Sequence, residues 1–248
     1  MLICVFGRRG SGKTTIIRGM IPNLKKPIII VDILDNYAPD PEKNPTNTPW
    51  VGCDSHIQAL QSLLEYVRDP KKHSGIIVVR CTDINICVDY MCSALWKIGG
   101  GTLVLDEADA FSSAEAPCFD EAIRYGRNRD ISIITGCRRP AEISRNVTAG
   151  CDVAYCLVTH EPRDIEYYRD FLGDDLAFKL PELPPHHGIY KDFLHQRSGI
   201  FKADITGKIS IVKNQKSVQN TIIEQEPEKP GPDSKNLKAE PIGERIET

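Results

Sequence analysis

Residues 7–14 read Gly-Arg-Arg-Gly-Ser-Gly-Lys-Thr, and no other stretch of the 248-residue chain restricts its fold so tightly. The spacing is G-x-x-x-x-G-K-[ST], a phosphate-cradling loop that needs a strand to deliver it and a helix to follow it. Both are present: the apolar run LICVF occupies 2–6, and a segment of helical composition begins near Lys13. Gly7, Gly10 and Gly12 free the backbone to curl so that successive N–H groups face phosphate oxygens, while the following helix offers its positive dipole end. Lys13 is placed to reach the β- and γ-phosphates of a nucleotide, and Thr14 to ligate Mg2+. Arg9, Ser11 and Thr15 complete the set expected to contact ATP.

The rest of the chain supplies the sheet that such a loop requires. Short β-branched runs recur at 2–6, 27–33, 75–81, 102–106, 131–135 and 153–158, separated by stretches of helical period. Continuous apolar strands belong to a parallel sheet covered on both faces by helices. The expected class is therefore α/β, a mostly parallel central sheet with helices on both faces. Asp54 or Ser55 is placed to cap a helix whose Ile57, Leu60, Leu64 and Val67 share one face and read as core. A second helix runs from Asp83 to Gly99 with Ile84, Val88, Met91 and Leu95 inward. A third starts at Pro162, carries Ile165, Tyr168 and Leu172, and closes at Gly173.

Two segments depart from this alternation. Residues 35–50 form a long loop rich in Pro, Asn and Asp, the one lid-like stretch in the sequence. From about 186 the runs GIYKDF, GIFKAD and KISIVK read as short antiparallel strands appended to the core, so the domain is drawn as 1–213. Residues 214–248 are polar and rich in Pro, Glu and Lys, and are expected to be a disordered tail.

Charge and composition narrow the class further. A net charge of −3 gives no basic field with which a lone domain would grip nucleic acid, so any DNA contact must be local or shared among subunits. Nine cysteines scattered through apolar segments read as reduced core residues rather than a disulfide framework. No run approaches the length of a membrane span, and the expected location is the cytoplasm. Cys53-x-x-His56, Cys151 with Cys156, and His186-His187 lack the paired knuckles of a zinc site. Trp50 is expected to be a half-buried anchor.

The second chemical motif is Leu103-Val104-Leu105-Asp106-Glu107, a buried strand ending in two carboxylates at the sheet edge where ligands of open α/β folds bind. Asp106 fits the Mg2+-associated carboxylate that partners Thr14, and Glu107 is placed to polarise a water for attack on the γ-phosphate. The letters D-E-A-D at 106–109 are shared with RNA helicases, but the residues left after Asp109 are too few for a second RecA-like domain.

The segment 121–168, with Gly126-Arg127-Asn128-Arg129 and then Arg139-Pro140-Ala141-Glu142-Ile143-Ser144-Arg145, resembles the FtsK–HerA superfamily of DNA-pumping ATPases, in particular the genome-packaging ATPases of membrane-containing viruses. The likeness runs from the phosphate loop to about residue 172. It implies a RecA-like P-loop NTPase core of the kind with an additional strand and a catalytic glutamate, working as a homo-oligomeric ring, hexameric or pentameric, that hydrolyses ATP between subunits and draws double-stranded DNA through its centre, with a capsid or portal protein as a further partner. It also implies that Arg127, or else Arg129, is an arginine finger reaching the neighbouring subunit's nucleotide. Where that family carries a γ-phosphate-sensing glutamine this chain has Arg138, which is placed to contact phosphate or to act as a finger itself. Two other functions use the same loop and remain open at this point: a small-molecule or nucleotide kinase, and a nucleotide-gated assembly protein that is not an enzyme.

Overall fold

The computed structural model describes residues 1–37, 50–111 and 115–216. Most of the expected lid, 38–49, and the expected tail from 217 onward lie outside the described residues. Among these, ten strands form one sheet in the order β10-β9-β8-β7-β1-β6-β5-β2-β4-β3. The parallel core consists of β1 (Leu2–Phe6), β2 (Ile28–Val31), β3 (Val51–Cys53), β4 (Ile76–Val79), β5 (Gly101–Leu105), β6 (Ile131–Cys137) and β7 (Val153–Leu157). Every residue of β1, β2, β4 and β5 is buried, which is why these strands read as unbroken apolar runs instead of alternating ones. The short β3 is the strand that sequence patterning did not reveal. It pairs only with β4 and has neither length nor alternation to announce it.

Helices cover both faces, unevenly. On one face Ile3, Val5, Val104 and Ile134 pack with Ile16 and Ile17 of α1 (Lys13–Met20). On the other, Cys4, Phe6, Leu103 and Ile133 pack with α2 (His56–Arg68), α3 (Ile84–Ile98), α4 (Pro117–Tyr125), α5 (Arg145–Ala149) and α6 (Pro162–Leu172), followed by the short α7 (Asp174–Ala177). The expected caps are in place: Ser55 Oγ accepts from Gln58 N at 3.3 Å, and Asp83 Oδ1 from Ile86 N at 3.1 Å. Gly99 ends α3 in the left-handed conformation that glycine adopts without penalty.

One expected core face is corrected. In α2, Ile57, Leu64 and Val67 are exposed, Leu60 is only partly covered, and Ala59 and Leu63 are the buried pair. The helix lies at the β3 and β4 end of the sheet, where there is less surface to cover. The period of the pattern was right, and its phase relative to the core was not a property of the pattern alone.

The three C-terminal strands are antiparallel, as expected, and they continue the main sheet. β8 (His187–Asp192) pairs with β7, β9 (Arg197–Ala203) with β8, and β10 (Ile209–Lys216) with β9, so the extension runs three residues beyond the expected boundary. Phe201 and Ala203 join the α1 face of the core. The turn between β9 and β10 touches α1 backbone to backbone: a Cβ at Gly207 would stand 1.9 Å from the Thr15 carbonyl oxygen, and one at Gly19 2.5 Å from the Gly207 backbone. Gly207 has φ +81, and Asp204 ties the turn by accepting from Thr206 N at 2.8 Å and Lys208 N at 3.0 Å. The helix that carries the phosphate loop thus rests on the appended hairpin.

Candidate active site

The order β1-β6-β5 puts one strand between the phosphate-loop strand and the strand ending in Asp106 and Glu107. The two motifs must therefore meet across β6. They do: Thr14 Oγ1 donates to Asp106 Oδ2 at 2.7 Å, between residues 92 positions apart in sequence. The crossing passes over Gly136, where a Cβ would stand 2.5 Å from Asp106 Oδ1 and 2.8 Å from Ile17 Cδ1. Gly136 was missed as a site residue, although a glycine just after the apolar run 131–135 is the ordinary sequence sign of a close approach.

Lys13 is almost fully buried, and its ammonium stands 3.9 Å from Glu107 Oε1, a loose pairing for a charge so withdrawn from water. Glu107 has φ 61, a left-handed conformation that costs a non-glycine residue on the order of 1–3 kcal/mol. The turn it opens is held by Ala110 N donating to the Glu107 carbonyl at 3.0 Å, and it folds Asp109 back inward. Burial raises the Glu107 carboxyl above its ordinary pKa; Lys13 and Arg138 pull it down, and Asp106 and Asp109 push it up. A carboxylate poised in this way accepts a proton more readily than an exposed one, as a general base should.

Arg138 lies just beyond β6 on this same edge. Its Nε donates to Asp109 Oδ2 at 2.7 Å and stands 3.7 Å from Glu107 Oε2. Arg138 is thus held beside Glu107 by Asp109, an acidic partner that the sequence did not single out. Arg8 and Arg9 are exposed on the phosphate loop and, with Arg138 and Arg139, rim an open groove of about 440 Å³ that also includes Glu161 and Asp164.

The loop itself suits a triphosphate. Gly10 (φ +76) and Gly12 (φ +100) have left-handed backbone, the conformation that lets the loop curl and that glycine adopts without penalty. Ser11 Oγ is buried with no hydrogen-bond partner, and the first-turn N–H groups of α1 are unpaired by helix geometry. Unmatched donors around a buried ammonium are an anion site. Gly7 is packed against Ser11 Oγ and Leu157, and Thr15 against Gly207. A Mg2+ bound with nucleotide would be held by Thr14 and Asp106, and it would supply charge neutralisation at the phosphate oxygens.

Arg127 and Arg129 are not brought here. They precede β6 and so occupy the opposite, amino edge of the sheet. Arg127 Nη2 is ion-paired with buried Asp152, which also accepts from Leu2 N at 2.8 Å, and Arg129 lies 5.3 Å from the centre of the Trp96 ring. Neither reaches the phosphate loop of its own chain.

Solved structures of similar fold exist. The genome-packaging NTPase B204 of Sulfolobus turreted icosahedral virus 2, in complex with ATP-gammaS, superposes with a TM-score of 0.61 at 19% identity, over 80% of this chain and 95% of that one. The fold is that of a P-loop ATPase. The DNA-packaging ATPase B204 from Sulfolobus turreted icosahedral virus gives a TM-score of 0.59 at 20% identity, with 80% and 95% covered. VirB4 of Thermoanaerobacter pseudethanolicus gives 0.50 at 10%, with 77% and 86% covered. No protein-family model matches the sequence, and no curated protein matches it. In fold the chain therefore resembles the viral packaging ATPases to which its motifs pointed.

The secondary sequence signals have structural roles. All nine cysteines are free, and among the described residues no cluster of His, Cys, Asp or Glu is arranged to hold a metal. Trp50 is half-buried against Tyr37. Lys25 pairs with Asp130, Lys72 with Asp69, and His73 Nε2 lies 3.1 Å from Glu65. Among the described residues no helix is long and apolar enough to cross a membrane.

Proposed function

We propose that this chain is an ATP-hydrolysing motor that works as a homo-oligomeric ring and translocates double-stranded DNA, packaging a viral genome into a capsid. The observation that carries the proposal is the constellation joined across β6: Thr14 on Asp106, with Lys13 beside Glu107. Gly7, Arg9, Gly10, Ser11, Gly12, Lys13, Thr14 and Thr15 hold the nucleotide, and Thr14 and Asp106 hold Mg2+. Glu107 orients and deprotonates the attacking water, which favours hydrolysis over transfer to a second substrate. Arg138 is the cis group that meets the γ-phosphate. Arg127, or failing it Arg129, is the finger offered to the next subunit, where a guanidinium neutralises charge as it spreads over the γ-phosphoryl oxygens. The fold shared with B204 supports this reading, and a net charge of −3 is compatible with it, since a ring multiplies a few inward-facing basic groups. Capsid or portal protein is the further partner, and host cytoplasm or virion the place of action.

The decisive experiment measures ATP turnover with and without duplex DNA and images the protein with a non-hydrolysable ATP analogue. Rings with a central hole and DNA-stimulated turnover are expected. A protein that stays monomeric with nucleotide and hydrolyses at a DNA-independent rate overturns the motor. Phosphate appearing on an added nucleoside monophosphate would make the chain a kinase instead. Glu107→Gln is expected to lower turnover by about 10²–10⁴-fold while leaving ATP bound. An assembly switch that needs binding alone would keep working with that change.

A further inference from the structure

Thr14 accounts for only one of the two hydroxyls that meet on Asp106. Tyr37 Oη donates to the same oxygen, Oδ2, at 3.2 Å, while Oδ1 accepts from Glu107 N at 3.2 Å. Tyr37 is fully buried, and phenylalanine would fill the same space without having to satisfy a hydroxyl. Its position is fixed on every side. Asp32, at the carboxyl end of β2, accepts from Asn36 N and Tyr37 N, each at 2.9 Å. The ring lies 5.9 Å from that of Trp50, and the Arg18 guanidinium 5.3 Å from its centre. Because β2 pairs with β5 on the side away from β6, Asp106 is gripped from both flanks, by Thr14 across β6 and by Tyr37 from the β2 loop.

We infer that Tyr37 is a positioning residue for the metal site: its hydroxyl locks the Asp106 carboxylate in the rotamer that serves Mg2+. This rests on the reading of Thr14 and Asp106 as the Mg2+-holding pair. Two donors on Oδ2, with Glu107 N on Oδ1, prevent the carboxylate from turning about its terminal bond. Without the phenol, the carboxylate must be ordered when the metal arrives, and that cost falls on Mg2+ affinity and not on contacts between the loop and the phosphates.

The test is equilibrium binding of a fluorescent ATP analogue to the full chain, in EDTA and across a Mg2+ titration. In Tyr37→Phe, affinity in EDTA is expected to match the wild type, while the half-saturating Mg2+ concentration rises by about tenfold. Asp32→Asn, which loosens the turn that holds Tyr37, is expected to shift it the same way by less, and provides a second reading if the first variant folds poorly. A Tyr37→Phe protein with the wild-type Mg2+ response overturns the inference, as does one that loses affinity equally in EDTA and Mg2+. A wild type that binds nucleotide no better with Mg2+ than with EDTA overturns the Thr14 and Asp106 reading itself.

Discussion

The two edges of the parallel sheet carry similar residues in opposite condition. At the amino edge Arg127 is paired with Asp152, Lys25 with Asp130, and Arg129 rests on Trp96. At the carboxyl edge Lys13 is buried with its acid 3.9 Å away, Ser11 Oγ has no partner, and Glu107 has a left-handed backbone. The amino edge has a left-handed residue of its own, Asp130 at φ 56, and an unpartnered buried His73 Nδ1, so what sets the carboxyl edge apart is a buried ammonium and an unpaired hydroxyl together on one glycine loop.

The sharpest way to break that contrast is at Arg127, which lies on the amino edge of its own chain and is proposed as the finger for a neighbouring subunit. Arg127→Lys keeps a cation for Asp152 but removes the guanidinium fork. Turnover of the assembled protein is expected to fall by about 10³-fold while the melting temperature changes little. Loss of stability with turnover intact would return Arg127 to the amino edge as a structural pair.

Gly136→Ala tests how far the carboxyl edge depends on the bare strand beneath it. The added methyl meets Asp106 Oδ1 and Ile17, and overpacking of this kind costs about 1–3 kcal/mol, read by chemical denaturation. Mg2+-dependent nucleotide binding should be lost along with it, because the Thr14 to Asp106 contact cannot survive the displacement. Unchanged Mg2+ dependence would show that the two motifs do not act across β6.

Gly207→Ala probes the hairpin under α1. Its left-handed φ and the Thr15 carbonyl force the turn to lift, with an expected stability loss of about 1 kcal/mol or more and weaker nucleotide binding. Stability lost with binding unchanged would separate the extension from the loop it supports.

The mildest effect concerns pH. As the proposed base, Glu107 would act only when ionised, and its raised pKa is expected to place the acid limb of turnover above that of an ordinary glutamate. Arg138 opposes that rise, so Arg138→Gln is expected to move the limb to still higher pH, measured as kcat/KM against pH. A limb that stays put or moves down would mean that Arg138 does not act on Glu107.

The local motifs were legible because they are short and their chemistry is contiguous. G-x-x-x-x-G-K-T after an apolar run dictates a phosphate loop, and apolar runs without alternation dictate a parallel sheet. The same holds for Ser55, Asp83 and Gly99, whose capping acts within one turn of helix. What the sequence could not order was anything set by which strand lies beside which. Tyr37, Asp109, Gly136 and Gly207 gain their roles from partners brought near by strand order and loop return, across distances at which pattern carries no information. The outward face of α2 belongs here too, because a helical period defines a stripe but leaves open which stripe the sheet is wide enough to cover. The sequence by itself thus determined that a triphosphate loop and a carboxylate pair share one sheet edge; the tertiary structure alone decided what grips them, because hydrogen bonds and steric contacts act over a few ångströms of space and not along the chain.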